Sequence, residues 1–393
     1  MPFLLLTCIY SILLIWLAVK WSSIPTSNQN GDILNSSSPK NNDSPLVTII
    51  IPARNEAGNL PKLLSSLENQ TYQKSKIEII IVDDHSNDNS TEIITEFKKK
   101  LPNLALIRLS ELSKNSERDK DNLITGKKSA INVGVTQAKG DWILLTDADC
   151  KVADNWVSVM INCMVSEELN MVTGPVKGEE KKPFLRMACQ EIIHLEFLGF
   201  VGMGAGGLKG GIPLMCNGAN IGFRKSAFYQ CGGFGNKQNL ASGDDEFLLR
   251  NMHKMDPGKV KFIKDKTAIV TTVLSDSFLG FLKQRIRWAS KAFSGKTPLS
   301  LLFIIFISVF YCLTGWQWFM VLSGMAELKL FLILFLVKLF AEFVFLYPIL
   351  DWFDKRKLIL WLIPVQFIYP FYIIVVGLAS RFRFYRWKDR WVT

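Results

Sequence analysis

Trp142-Ile143-Leu144-Leu145-Thr146-Asp147-Ala148-Asp149 decides the fold, because a short apolar run ends there at a threonine and two carboxylates. An uninterrupted apolar run of this length suits a strand buried on both faces, and polar groups at its carboxyl end lie where open α/β sheets bind ligands. Working outward, residues 47–51, 77–82 and 104–109 are similar β-rich runs separated by amphipathic stretches. That alternation predicts a parallel sheet with helices on both faces. The first run ends in Ile51-Pro52-Ala53-Arg54-Asn55-Glu56 and the second in Asp83-Asp84-His85-Ser86, so acidic pairs recur at strand ends along one sheet edge. Adjacent carboxylates repel unless a cation or donor neutralises them, and Mg²⁺ or Mn²⁺ favours one or two carboxylates plus phosphate oxygens. A metal-bridged diphosphate satisfies both requirements. An Asp-x-Asp string alone is more often a turn or a helix cap; the recurrence of acidic pairs is what favours chemistry.

The 393 residues are 49% hydrophobic with a net charge of +11, and the apolar residues gather at the two ends of the chain. Basic charge beside apolar segments points to lipid headgroups and cytoplasmic loops rather than to nucleic acid. Seven cysteines without a CxxC pair read as reduced thiols. Residues 1–21 are expected to be a transmembrane anchor, since 3–19 are almost uncharged and no small-residue cleavage site follows. Residues 22–45, rich in Ser, Asn and Pro, read as a flexible tether. A folded domain is expected over 46–277, its second half holding a helix-like stretch at 183–200, a glycine-rich segment at 199–222 and a helix at 244–254. That half is read as acceptor-binding. Residues 278–297, with Lys283, Arg285, Arg287 and Lys291 among aromatics, suit an amphipathic helix in the membrane interface. Apolar segments at 299–324, 330–350 and 358–379 fill a C-terminal transmembrane region, 298–380, before a basic tail at 381–393. Basic residues flank the last segment on both sides, so either the positive-inside bias fails there or the segment is broken at Pro364 and Pro370. Lys338 and Glu342, four residues apart, either pair with each other or line a passage.

Four motifs, Ile50-Ile51-Pro52-Ala53-Arg54-Asn55-Glu56, Val82-Asp83-Asp84-His85-Ser86, Lys127-Lys128-Ser129-Ala130-Ile131-Asn132 and Thr146-Asp147-Ala148-Asp149, resemble family 2 glycosyltransferases in order and spacing. The likeness continues through Asn217-Gly218-Ala219-Asn220, Gly232-Gly233-Phe234, Gly243-Asp244-Asp245-Glu246 and Gln284-Arg285-Ile286-Arg287-Trp288, and covers about residues 46–295. The last motif is similar to the QxxRW signature of the membrane-bound cellulose, hyaluronan and poly-N-acetylglucosamine synthases. The resemblance implies a GT-A, Rossmann-like nucleotide-diphospho-sugar transferase domain with N-terminal and C-terminal transmembrane helices. It implies that Pro52, Arg54, Asn55, Glu56, Asp84, Lys127 and Asp147 surround the nucleotide sugar, with Asp83 either joining them or bracing the loop. It further implies that Asp147 and Asp149 hold a divalent metal, Mg or Mn. Asn217, Gly218, Asn220 and Asp244 would face the acceptor, Asp245 would be the general base, and Gln284, Arg287 and Trp288 would close over the reacting groups. Two departures stand out: one N-terminal anchor replaces the paired helices of many polymer synthases, and His85 stands where a small residue is common.

The reading this supports is a multi-pass protein of the inner (plasma) membrane with its catalytic domain in the cytoplasm. It would move a sugar from a nucleotide donor, more readily UDP than GDP by resemblance, to a lipid or growing glycan acceptor, with inversion and with membrane lipids as surroundings. A processive polysaccharide synthase is the alternative within the class, and a catalytically silent sugar-nucleotide sensor or scaffold the alternative outside it. A base at Asp245 argues against the sensor, because binding alone needs none. A transporter is disfavoured by the large soluble insert between few apolar segments.

Overall fold

In a computed structural model, the described residues are 2–26, 44–114, 125–179, 187–234, 244–275, 277–290, 298–381, 385–387 and 390–392. Residues 27–43 of the expected tether and the stretch holding Gly243 lie outside them. The chain divides into two compact units: residues 24–179 with 211–273, and residues 1–23 with 180–210 and 274–393.

The first unit is an α/β sheet. Its elements are β1 (Val47–Ala53), α2 (Leu60–Glu68), β2 (Ile77–Asp83), α3 (Ser90–Phe97), β3 (Leu104–Arg108), α4 (Leu109–Lys114), α5 (Lys127–Gln137) and β4 (Trp142–Leu145). There follow β5 (Cys150–Lys151), α6 (Trp156–Ser166), β6 (Met171–Thr173), β7 (Val176–Gly178), β8 (Ile221–Arg224), α8 (Lys225–Gln230), α9 (Asp244–Met255), β9 (Val260–Phe262) and β10 (Val270–Thr272). Helices α1 (Pro2–Ser22) and α7 (Met187–Lys209) belong to the other unit. The main sheet has the order β3-β2-β1-β4-β8-β6-β9, and a smaller one the order β5-β10-β7. Strands β1 to β4 are parallel, as the alternation predicts, and Ile49, Ile50 and Ile51 at their centre have no exposed surface. The parallel expectation ends at β8, which runs antiparallel to both β4 and β6.

In the helical unit, α1 and α7 join α10 (Phe278–Ala289), α11 (Pro298–Leu322), α12 (Leu328–Trp352) and α13 (Leu362–Arg381), the last entered through a 3-10 turn at Arg356–Trp361. A short hairpin follows, Tyr385–Trp387 with Arg390–Val392. Among the described residues, five helices are long and apolar enough to cross a bilayer, α7 among them. Membrane association follows from the apolar surface these helices carry.

Helix α7 corrects the sequence reading, which divided this stretch at Phe200 and gave its glycines to an acceptor-binding segment within the domain. Gly202 and Gly206 instead lie four residues apart on one continuous helix, and Gly210 follows immediately after its last residue. A Cβ on Gly202 would strike Ile349, one on Gly210 would strike Trp16, and one on Gly206 would lie 2.8 Å from the carbonyl oxygen of Leu17. Glycine costs about 1 kcal/mol per residue in a helix, and here it permits the close approach of α7 to α1 and α12 that larger side chains would block.

Although α7 is long enough, it cannot cross a membrane. Strands β1 to β7 precede it and β8 to β10 follow it, yet β8 is hydrogen-bonded between β4 and β6, and β10 between β5 and β7. A crossing would put the two halves of one sheet on opposite sides of the bilayer. Over half of the apolar window of α7 is buried within the protein, against a third or less for the other four helices.

The question whether Lys338 and Glu342 pair or line a passage is answered by their partners. Both are buried, 2.7 Å apart. Glu342 also accepts from Tyr10 of α1 at 2.8 Å, Tyr311 of α11 at 3.4 Å and Gln366 of α13 at 2.6 Å, while Lys338 donates in addition to Gln366. One carboxylate thus ties four helices together, and its acceptor capacity is taken up internally.

In a background with the native cysteines replaced by serine, Ala188→Cys and Lys209→Cys, at the two ends of α7, should both react with a membrane-impermeant maleimide from the same side of sealed vesicles. Labelling from opposite sides would contradict the non-crossing assignment.

Candidate active site

The register of β4 against β8 builds the site. Leu145 pairs with Ile221, so the chain leaving β4 at Thr146 and the chain entering β8 at Asn220 lie at the same edge of the sheet. The first carries Asp147 and Asp149, the second Asn217 and Gly218. Parallel pairing of β1 with β4 brings the 52–56 segment to that edge as well.

Strand ends β1 and β2 are stitched together before any ligand is considered. Arg54 donates to the carbonyl oxygen of Asp84 at 2.7 Å, and the Asp84 N–H donates back to Ala53 O at 2.8 Å. Asn55 sits in the left-handed region, φ 51°, where its N–H donates to Ser86 Oγ and its Oδ1 accepts from the Asn87 N–H, both at 2.9 Å. Between the two roles left open for Asp83, the geometry favours bracing: it is buried, and its Oδ2 accepts from the Ser86 N–H at 3.2 Å. Asp84 is equally buried and accepts from Thr125 Oγ1 at 3.1 Å and the Gly126 N–H at 3.0 Å, with His85 Nδ1 at 3.0 Å. It therefore fixes the start of α5, whose first residue is Lys127. This anchoring role was not legible, because Thr125-Gly126 carries no motif.

Lys127 reaches across to Asp147, Nζ to Oδ1 at 2.6 Å. A Cβ added at Gly218 would lie 3.2 Å from the same Nζ and 3.4 Å from Asp245 Oδ2, so the Gly218 backbone runs close to both side chains. Asp245, on the first turn of α9, accepts from the Gly218 N–H at 3.1 Å and the Glu246 N–H at 2.9 Å. Residues from five separate parts of the chain, 56, 127, 147–149, 218 and 245, thus form one charged cluster within one unit.

Electrostatics in the cluster are strained toward excess negative charge. Burial first, then the charges of Asp147 and Glu56, push Asp149 from 3.8 up to about 6, against the pull of Lys127. Its nearest hydroxyl donor, Thr272 Oγ1, is a long 3.4 Å away. Because the folded chain holds a proton that the unfolded chain releases, ionising Asp149 weakens the fold as pH rises from 3.8 to about 6. A cation beside Asp149 would reverse that sign. Two carboxylates with one crowded and desolvated suit a divalent ion completed by phosphate oxygens and water. Among the described residues, no group of three or more His, Cys, Asp or Glu could hold a metal unaided.

Asn220 is a correction. It is fully buried: Oδ1 accepts from Trp156 Nε1 at 2.9 Å, and Nδ2 donates to the carbonyl oxygens of Pro175 at 2.9 Å and Ala268 at 2.8 Å. It is a strut joining α6 to the chain ahead of β7 and β10, with no face left for an acceptor. Asn217 closes a turn by accepting from the Ala219 N–H at 3.0 Å. Asp244 is the first residue of α9, and its side chain lies outside the description. Gln284, Arg287 and Trp288 stand on α10 in the helical unit. Of the cations expected in an interfacial helix there, Arg285 is instead buried and paired with Glu196, because α10 packs that face inward.

A sheet of this order, with carboxylates gathered where β4 and β8 meet, defines a GT-A transferase. The chain belongs to the family 2 glycosyltransferases: the model of Glycosyl transferase family 2 matches residues 48–232, and that of Glycosyl transferase family group 2 matches residues 142–375. The glycosyltransferase AglE of Haloferax volcanii is 31% identical over 34% of this chain and 40% of its own length. The probable glycosyltransferase YdaM of Bacillus subtilis is 26% identical over 62% of this chain and 54% of its own. The poly-beta-1,6-N-acetyl-D-glucosamine synthase of Staphylococcus epidermidis is 27% identical over 62% and 53%. The chain therefore spans about half the length of these relatives, or less. In fold it is similar to the mannosyltransferase PcManGT of Pyrobaculum calidifontis, solved with GDP-Man and Mn²⁺, at TM-score 0.56 and 17% identity over 93% of this chain and 97% of that one.

Asn220→Ala should lower stability by at least about 1–3 kcal/mol, the cost of stranding one buried polar partner, and leave the acceptor KM of the folded fraction unchanged; a raised acceptor KM at normal stability would restore the acceptor role. Asp149→Asn, studied in chelator at about pH 7.5, should raise the thermal midpoint, corresponding to about 1–3 kcal/mol. It should also lose the further rise that Mn²⁺ gives the parent protein. A lowered midpoint in chelator would contradict the charge-crowding account.

Proposed function

We propose that this chain is a membrane-bound inverting glycosyltransferase that moves a sugar from a nucleotide-diphosphate donor to a lipid or growing glycan acceptor. The observation that carries the reading is the meeting of Asp147, Lys127, Gly218 and Asp245 at one sheet edge, with Asp149 beside Asp147. The GDP-Man and Mn²⁺ held by PcManGT, a protein of the same fold, support a nucleotide-sugar donor and a divalent metal here too. A UDP donor rests on family resemblance.

Asp147 and Asp149 are the residues that would hold Mg²⁺ or Mn²⁺, which when bound supplies positive charge to the diphosphate. Lys127, anchored through Asp84 at the start of α5, adds a fixed cation for the same anion. Asp245, oriented by the Gly218 and Glu246 N–H groups, takes the proton of the acceptor hydroxyl. The acceptor oxygen then bonds to the anomeric carbon from the face opposite the donor, the bond from that carbon to the diphosphate oxygen breaks, and its electron pair leaves with the nucleoside diphosphate. The configuration inverts, and no second acid is required. Arg287 stabilises the leaving diphosphate, and Trp288 offers an indole face to the acceptor. The catalytic unit stands in the cytoplasm and the apolar helices in the inner (plasma) membrane.

Transfer of single sugars is favoured over processive synthesis, because Lys338, Glu342, Gln366, Tyr10 and Tyr311 bond to one another rather than presenting polar groups to a passing polymer. Asp245 favours an enzyme over a sensor. An acceptor drawn from the membrane plane is supported by the apolar helices.

The purified protein should consume a UDP-sugar only with Mg²⁺ or Mn²⁺ and only when an extract of native membrane lipids is present, the product being identified by mass spectrometry. Asp149→Ala and Asp245→Asn should each lower turnover by about 10²–10⁴-fold. Normal turnover by either folded variant would overturn the assignments.

A further inference from the structure

Beside Arg287 and Trp288, α10 carries a second arginine to which the proposed reaction gives no part. Arg285 lies one turn after Phe281 and one turn before Trp288, so all three share a face of the helix. Its guanidinium carbon is 4.8 Å from the centre of the Phe281 ring, 4.3 Å from that of Trp288 and 5.2 Å from that of Phe200 on α7. A cation enclosed by three rings is almost wholly desolvated; its side chain is 4% exposed. Nη1 is buried with no hydrogen-bond partner.

What holds this cation is one carboxylate 89 residues earlier in the chain. Glu196 Oε2 accepts from Arg285 Nε at 2.8 Å and lies 2.7 Å from Nη2, while Oε1 accepts from the hydroxyls of Tyr369 at 3.0 Å and Tyr372 at 3.1 Å. Glu196 is itself 6% exposed at its side chain. Both of its oxygens are engaged, and its charge is matched by a single guanidinium. This fixes the plane of Arg285, and a fixed plane is what a guanidinium needs to stack on an indole. Trp288 is covered by Arg285 on one side and remains 36% exposed, the largest exposure among the residues of this cluster.

We propose that Glu196 is a positioning residue for glycosyl transfer: through Arg285 it holds the Trp288 indole, and with it the Gln284–Trp288 segment, in the orientation the reaction uses. The inference rests on the reading that Trp288 and Arg287 act in transfer. Glu196 touches no reacting atom, so its loss should leave donor binding intact and impair only the step that Trp288 serves. The pairing also explains why arginine stands at position 285, since a lysine there would supply the charge without the stacking plane.

The test uses the full chain, with active sites counted by titration with UDP and Mn²⁺ so that rates refer to folded protein. Glu196→Gln, and the double variant Glu196→Leu/Arg285→Met that removes the buried charges together, should each lower kcat per nucleotide-binding site by tenfold or more. Donor KM should stay within about twofold in both. Arg285→Lys should not restore the rate, and adding Glu196→Gln to Trp288→Ala should produce no further loss, because both act through one indole. Parent-like kcat in the double variant, losses that multiply with that of Trp288→Ala, or loss of nucleotide sites in both Glu196 variants would overturn the positioning role. Failure of the underlying reading is distinguishable: Trp288→Ala would then turn over normally while Glu196→Gln was slow.

Discussion

Antiparallel pairing of β8 with β4 is the constraint on which the molecule depends. Had β8 joined the sheet parallel, like β1 to β3, its entering end would lie at the opposite edge from Asp147. The reversal turns a parallel-sheet ligand edge into a meeting place for two chain segments that are 76 residues apart at Leu145 and Ile221, plus a third, since α9 follows β8 and presents Asp245 to Gly218. It also decides the standing of α7, which must leave the sheet after β7 and return before β8.

The cluster built there trades stability for readiness. Asp149 is held among like charges at a depth where ionisation is opposed, and the pull of Lys127 does not offset the crowd. A folded protein tolerates such a group when the rest of the sheet over-determines its position, and here Ile49, Ile50, Ile51, Thr146 and Asn220 form a floor with no exposed surface beneath it. Fixed N–H donors on Asp245 and the Asp84 anchor on α5 limit how far the charges can relax apart. The electrostatic cost is thereby kept in place until a cation and a phosphate relieve it.

The main strands and acidic strand ends were legible in sequence because both signals are local: a strand buried on two faces must be continuously apolar, and carboxylates side by side demand a counter-charge. Asp147 and Asp149 stood out as an acidic string at a strand end, whereas Asp245 was singled out only by the resemblance to family 2 glycosyltransferases. Helix α7 was hidden by its own glycines, which lower helix propensity and become intelligible only when Leu17, Trp16 and Ile349 are seen packed against them. Asn220 stands in a motif and reads as a ligand contact, but its meaning lies in Trp156, Pro175 and Ala268, partners that no pattern near position 220 announces. Arg285 reads as one more interfacial cation until Glu196 is found opposite it. Non-local polar pairs are invisible to periodicity, and both misreadings come from that source.

Helix α7 also has a consequence for how the chain is made. Synthesis delivers β1 to β7 first, and at that stage β4 has an open edge that only β8 can cover. Before β8 is made, the ribosome delivers a 22-residue apolar helix that satisfies the length and hydropathy by which membrane insertion machinery recognises a span. Insertion of that helix as a span would strand half the sheet beyond the bilayer and leave the edge of β4 permanently unpaired, an invitation to aggregate. Correct biogenesis is therefore a contest between a lateral exit into lipid and the closing of a sheet. The close fit of α7 against α1, which is synthesised well before it, gives the helix a protein surface to occupy while β8 is still to come.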